Sequence, residues 1–121
     1  LRNPGQYRSV SALAPIGAPS QCPWGEKAFT GYLGPDRRHW SAWDASDLVR
    51  HRPWPGEIRV DQGLADRFLT EQLKPELFVA ACRDAGQRLD YRAHAGYDHG
   101  YYFVQSFVPE HLAFHAARLT G

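Results

Sequence analysis

A chain of 121 residues, 43% hydrophobic and 22% charged, is about one domain's worth of ordinary soluble globular protein. A net charge of +1 gives no field to steer it toward nucleic acid or an anionic membrane, and the basic runs Arg37-Arg38-His39 and Arg50-His51-Arg52 are interspersed with Asp36, Asp44 and Asp47, as on a solvated face. No apolar run approaches the ~20 residues that span a bilayer, and two cysteines, Cys22 and Cys82, without ligand spacing fit a reducing, cytoplasmic compartment.

In chain order, "YRSVSALAPI" (7–16) mixes β-branched and small apolar residues before a Gly-Ala-Pro turn, which predicts a strand buried on both faces. "PWGEKAFTGYLG" (23–34) predicts a short helix stopped by Gly34, and Ser41 to Val49 a second one. A turn at "RPWPG" then leads into a strand at 57–61. Lys74 to Ala85 predicts a helix, with Pro75 in its first turn and Gly86 at its end. "RLDYRAH" (88–94) alternates as a strand, and the spacing of apolar residues from Tyr101 to Leu119 predicts a long amphipathic helix. Strands alternating with helices imply an α/β fold of parallel strands joined by crossovers, in one domain without a linker.

In such sheets, function gathers at the carboxyl ends of the strands. "VDQGLADRF" follows the 57–61 strand and "AGYDHG" follows the 88–94 strand. An acid after one strand and a histidine after the next is the second half of a nucleophile–acid–base triad in the order Ser, Asp, His. The imidazole of His99 would take a proton from a hydroxyl while a carboxylate fixes its tautomer. Asp61, Asp66 and Asp98 all compete for the acid on local grounds, and the alternative for His99 is to cap the following helix or satisfy a backbone carbonyl.

Three segments taken together, "SVSALAPIGAPSQCPWGEKAFTGYLG", "VDQGLADRFL" and "GYDHGYYF", resemble the carboxyl-terminal part of the S-formylglutathione hydrolase (esterase D) family over nearly the whole chain. The resemblance implies an α/β-hydrolase fold, of which the last three parallel strands and their helices would be present. It also implies hydrolysis of S-formylglutathione to formate and glutathione, downstream of formaldehyde oxidation, with no metal or organic cofactor. Carried over by motif, the catalytic acid falls on Asp66 and the base on His99. Asp61 falls on a non-catalytic position and would bond within its loop. Trp24 resembles an aromatic at the mouth of the active site, with core packing as the equal alternative. Gly100 stands where the family often has Ser.

The nucleophile has no candidate. No Gly-x-Ser-x-Gly elbow exists, and none of Ser9, Ser11, Ser20, Ser41, Ser46 and Ser106 has the flanking glycines. Together with the absence of Met, this predicts that residues 1–121 are the carboxyl-terminal part of a single hydrolase domain. Such a piece alone would be inactive and would need its missing amino-terminal half, or a second copy, to cover the edge of its first strand. The alternative is a decayed hydrolase acting as an interaction module. His111 and His115, four apart on the last helix, have a spacing that can ligate a metal, but no third ligand is evident, and the pair reads as a solvated helix end.

Overall fold

A computed structural model describes residues 1–120. The elements run β1 (Val10–Leu13), α1 (Pro23–Leu33), α2 (Ala45–His51), β2 (Ile58–Gly63), α3 (Pro75–Ala85), β3 (Leu89–His94) and α4 (Tyr101–Leu119). The three strands form one sheet in the order β1-β2-β3, both pairings parallel. Val10 lies opposite Ile58, and Ile58 in turn opposite Leu89.

β2 is the central strand and is buried almost throughout, whereas β1 is shorter than its sequence suggests and only half-buried. The expectation of a strand buried on both faces fails there because, among the described residues, β1 has a neighbour on one side only. The 41–49 helix is likewise divided. Ser41–Trp43 makes a 3₁₀ turn, and α2 starts afresh at Ala45 because the buried Asp44 carboxylate caps it, accepting from the backbone N–H groups of Ser46 and Asp47. Asp44 also accepts from the hydroxyl and backbone N–H of Ser20, tying the turn after β1 to α2.

The two faces of the sheet differ in chemistry. Strand alternation turns Ile58 and Val60 toward Val49 of α2 and Phe78, Ala81 and Cys82 of α3, with Trp54 closing the cluster. Each large side chain buried there contributes about 1.5–3 kcal/mol. The intervening residues face α4 and are polar: Ser9 and Ser11 around β1, Arg59 and Asp61 on β2, Asp90, Arg92 and His94 on β3.

Asp61, fully buried, is the hub of that second face. It accepts from Nη2 of Arg92 at 2.8 Å, Nε2 of His94 at 2.6 Å and Nε2 of His111 at 2.7 Å. Burial pushes its carboxyl up, but these donated bonds together outweigh burial and hold it below the usual carboxylate range. Asp61 therefore does not bond within its loop; it clamps β3 and α4 onto β2. His111 and His115 are correspondingly not a solvated helix end. With Nε2–H of His111 committed to Asp61, its Nδ1 accepts from Ser11, whose oxygen accepts from Nε2 of His115, and Nδ1 of His115 accepts from Ser9. Among the described residues, no group of three side chains is arranged to hold a metal ion.

No helix among the described residues is long and apolar enough to cross a membrane.

Candidate active site

Both loops at the carboxyl ends of β2 and β3 are knitted together by backbone hydrogen bonds. Leu64 N–H donates to the His94 carbonyl and Ala65 N–H to the Tyr97 carbonyl, each at 2.9 Å. Gly63 permits this approach, since a Cβ at that position would lie 2.4 Å from the Tyr97 carbonyl oxygen. Gly96, at φ +81°, turns β3 into the second loop in a conformation that side-chain-bearing residues seldom adopt.

This junction brings Asp66 and His99 together. Nδ1 of His99 lies 2.7 Å from Oδ2 of Asp66. The Asp66 side chain is fully buried, while the imidazole remains 39% exposed. An ionised carboxylate can only accept, so the shared proton sits on Nδ1 and leaves Nε2 a free lone pair. The carboxylate is oriented from behind by two more donors, Phe68 N–H to Oδ1 at 2.8 Å and Nε2 of Gln62 to Oδ2 at 3.2 Å. An imidazole held in one tautomer by a buried acceptor, with its other nitrogen unengaged, is the arrangement that general-base chemistry requires.

The other two candidate acids go elsewhere. Asp61 bonds His94 and His111, and Asp98 sits on the rim of a cavity beside His99 without bonding it. His99 does not cap α4. Its N-cap, Gly100, offers no side chain, and a Cβ there would meet only the flexible tip of Asp98. The Ser that the resemblance places at this position would therefore fit.

Trp24 is 44% exposed, so it is not core, and it is linked to His99 through Phe68. Its ring packs on Phe68 at 4.6 Å between centroids, and Phe68 meets the imidazole edge-on at 5.3 Å. The position of Phe68 depends on the π-helical turn Leu69–Leu73, which sequence reading missed. Pro75 disfavours a right-handed helical conformation at the residue before it, and Lys74 goes left-handed at φ +43°, closing the wider turn with its N–H on the Leu69 carbonyl. From that turn the Gln72 amide oxygen accepts from Trp24 N–H at 2.9 Å, fastening α1 to the acid loop.

The exposed side of His99 opens on a cleft of about 470 Å³ between the end of β1, at Leu13 and Ala14, and the start of α4, at Gly100, Tyr101, Phe103 and Val104. No serine hydroxyl among the described residues is bonded to His99. Ser9 and Ser11 are engaged with His111 and His115 instead. Ser11, His111 and Asp61 show triad-like distances, but Asp61 and His111 are buried on the sheet face, so a substrate could not reach them.

Comparison with known proteins places the chain in a family. The family described as "Putative esterase" matches residues 1–114. The S-formylglutathione hydrolase of Rattus norvegicus is 50% identical over the whole chain, and that of Bos taurus 49% identical, each alignment covering 44% of the relative. Among solved structures, an S-formylglutathione hydrolase from Agrobacterium tumefaciens superposes with a TM-score of 0.92 at 45% identity, over 98% of this chain and 43% of that one. The chain thus spans less than half the length of the relatives it matches. Its sheet and flanking helices are part of an α/β-hydrolase fold, and the chain belongs to the esterase family.

Proposed function

We propose that the chain carries the acid and base of a serine thioesterase, Asp66 and His99, and that the enzyme hydrolyses S-formylglutathione to formate and glutathione. The observation that carries this reading is the 2.7 Å contact between Nδ1 of His99 and a fully buried carboxylate, with the imidazole itself partly exposed and lining the cleft. The nucleophilic serine and the oxyanion donors come from residues outside these 121, the chain being the carboxyl-terminal part of one α/β-hydrolase domain.

The reaction runs in two steps. Nε2 of His99 takes the serine proton as the oxygen attacks the thioester carbonyl carbon. The C–S bond breaks, and the same proton passes to the departing thiolate, leaving a formyl-serine. Water then attacks the formyl carbon of that ester, giving its proton to Nε2; the bond between the formyl carbon and the serine oxygen breaks, the serine oxygen regains the proton, and formate leaves. Asp66 stabilises the imidazolium in both steps, and neither needs a metal or organic cofactor. The free edge of β1, which pairs only with β2 among the described residues, is where a strand from the nucleophile-bearing segment adds to the sheet.

The test is a chimera in which these 121 residues replace the matching segment of the Agrobacterium enzyme. It should hydrolyse S-formylglutathione, and His99→Ala and Asp66→Asn should each lower kcat by roughly 10⁴ with the fold intact. The isolated chain should show no turnover. A folded, active chimera that keeps its rate without His99 refutes the assignment.

A further inference from the structure

His99 stands between two cavities. One is the cleft described above; the other, of about 370 Å³, is lined by Ala65, Arg67, Asp98 and His99. The second cavity has opposite charges on its walls and the reacting imidazole at its end. Among the described residues, neither Arg67 nor Asp98 is engaged in an ion pair. This is unlike Asp61 and Arg92, which neutralise each other on the buried face.

Arg67 is also held in place. Its guanidinium carbon lies 4.6 Å from the centroid of Phe68, and the Phe68 and His99 centroids are 5.3 Å apart, so cation and imidazole are no further than about 10 Å from one another. A planar cation seated on an aromatic face keeps its outward N–H groups free for a carboxylate in a two-pronged contact. That upper bound is about one Debye length at 0.1 M salt, so the pull of Arg67 on a group near His99 is partly screened and should weaken as salt rises.

A cavity with a guanidinium on one side and a carboxylate on the other fits an end group bearing both charges better than a plain anion. Resting on the thioesterase reading above, we propose that Arg67 and Asp98 form the leaving-group subsite, Arg67 receiving the carboxylate and Asp98 the ammonium of an amino-acid-like end on the departing thiol. Glutathione, with its free amino-acid terminus, is a thiol of this class. The acyl group then sits on the apolar side of His99, toward Leu13 and Ala14.

The experiment compares kcat/KM for S-formylglutathione with that for the neutral ester p-nitrophenyl acetate in the chimera carrying the full chain. Arg67→Gln and Asp98→Asn should each lower the ratio of the two values at least fivefold, mainly through KM for the thioester. Arg67→Lys should restore part of it, and raising salt to 0.5 M should shrink the difference between parent and Arg67→Gln. A ratio that neither variant moves overturns the subsite. A rise in the ratio for Asp98→Asn also overturns it, because it would mean that the cavity takes a simple anion. The neutral ester keeps the two ideas apart: loss of its hydrolysis in His99→Ala tests the base, whatever Arg67 and Asp98 do.

Discussion

Replacing Gly63 with Ala should disable the site from a distance, without touching an acid, a base or a substrate. The new methyl carbon would lie 2.4 Å from the Tyr97 carbonyl oxygen and 2.9 Å from its carbonyl carbon. Carbon–oxygen contacts settle near 3.3 Å, so the acid and base loops must part by about 1 Å. Both obstacles are backbone atoms, so no side chain can swing aside. The movement also breaks the Ala65 N–H bond to the Tyr97 carbonyl, worth about 1 kcal/mol, and adds about 1–3 kcal/mol of overpacking. Asp66 lies three residues beyond Gly63 and His99 two beyond Tyr97, so the same displacement reaches their 2.7 Å contact. A misplacement of about 1 Å at reacting groups costs roughly 10² in rate. The assay is kcat/KM for p-nitrophenyl acetate in the chimera, with thermal unfolding measured in parallel. Gly31→Ala is the control: nothing lies within 4 Å of its Cβ, and a helical alanine there should stabilise by up to ~1 kcal/mol with the rate unchanged. A Gly63→Ala protein with parental kcat/KM would refute the idea that this close approach sets the acid–base geometry.

Two further outcomes concern groups outside the site. Asp61→Asn leaves buried donors on His94, His111 and Arg92 facing an amide and should cost about 3–5 kcal/mol by urea denaturation at pH 7. Because the folded carboxyl titrates below its unfolded value of about 3.9, its stabilisation is complete above that pH and lost as pH falls through the lower folded value; acid unfolding should therefore flatten in the variant. Cys82 is buried in the α2–α3 core, and burial pushes its thiol up to about 11, while Cys22 is buried at the start of α1. Neither should react with a disulfide reagent at pH 8 in the native protein, and both should react once guanidinium is added; a fast native thiol would contradict this packing.

The element order was readable because each helix and strand carried its own period and stops. Tyr101 to Leu119 forms the expected helix, but its expected apolar face does not: Val104, Leu112 and Leu119 are exposed, while His111 is buried with Phe103 and Phe114. What local pattern could not supply was the partner of each polar side chain. Asp61, Asp66 and Asp98 are equivalent to any rule about loops, and the contact between Asp66 and His99 exists only because Gly63 lets two loops close. Phe68, which packs on the His99 ring, and Gln62, which bonds the Asp66 carboxylate, had no signal of their own. Gln62 sits one residue before that glycine, and Phe68 depends on a π-helical turn that no apolar period announces.

The histidines of α4 show the same limit from the other side. His111 and His115 look solvated on a helical wheel because a helix that covers a sheet is expected to bring hydrocarbon to it. Here the sheet face is itself polar: every second residue of β2 and β3 on that side is charged or a histidine until Gly63. A helix packed there must answer donor with acceptor, and the serines of β1 with the imidazoles of α4 do so in a chain whose direction is fixed by the ionised Asp61. The two carboxylates of "DQGLAD" thus have opposite duties set by where the strand ends. Asp61, still inside β2, spends its bonds on holding α4 and β3. Asp66, past the end, is held by Gln62 and Phe68 of its own loop and turns its remaining bond to one imidazole, His99.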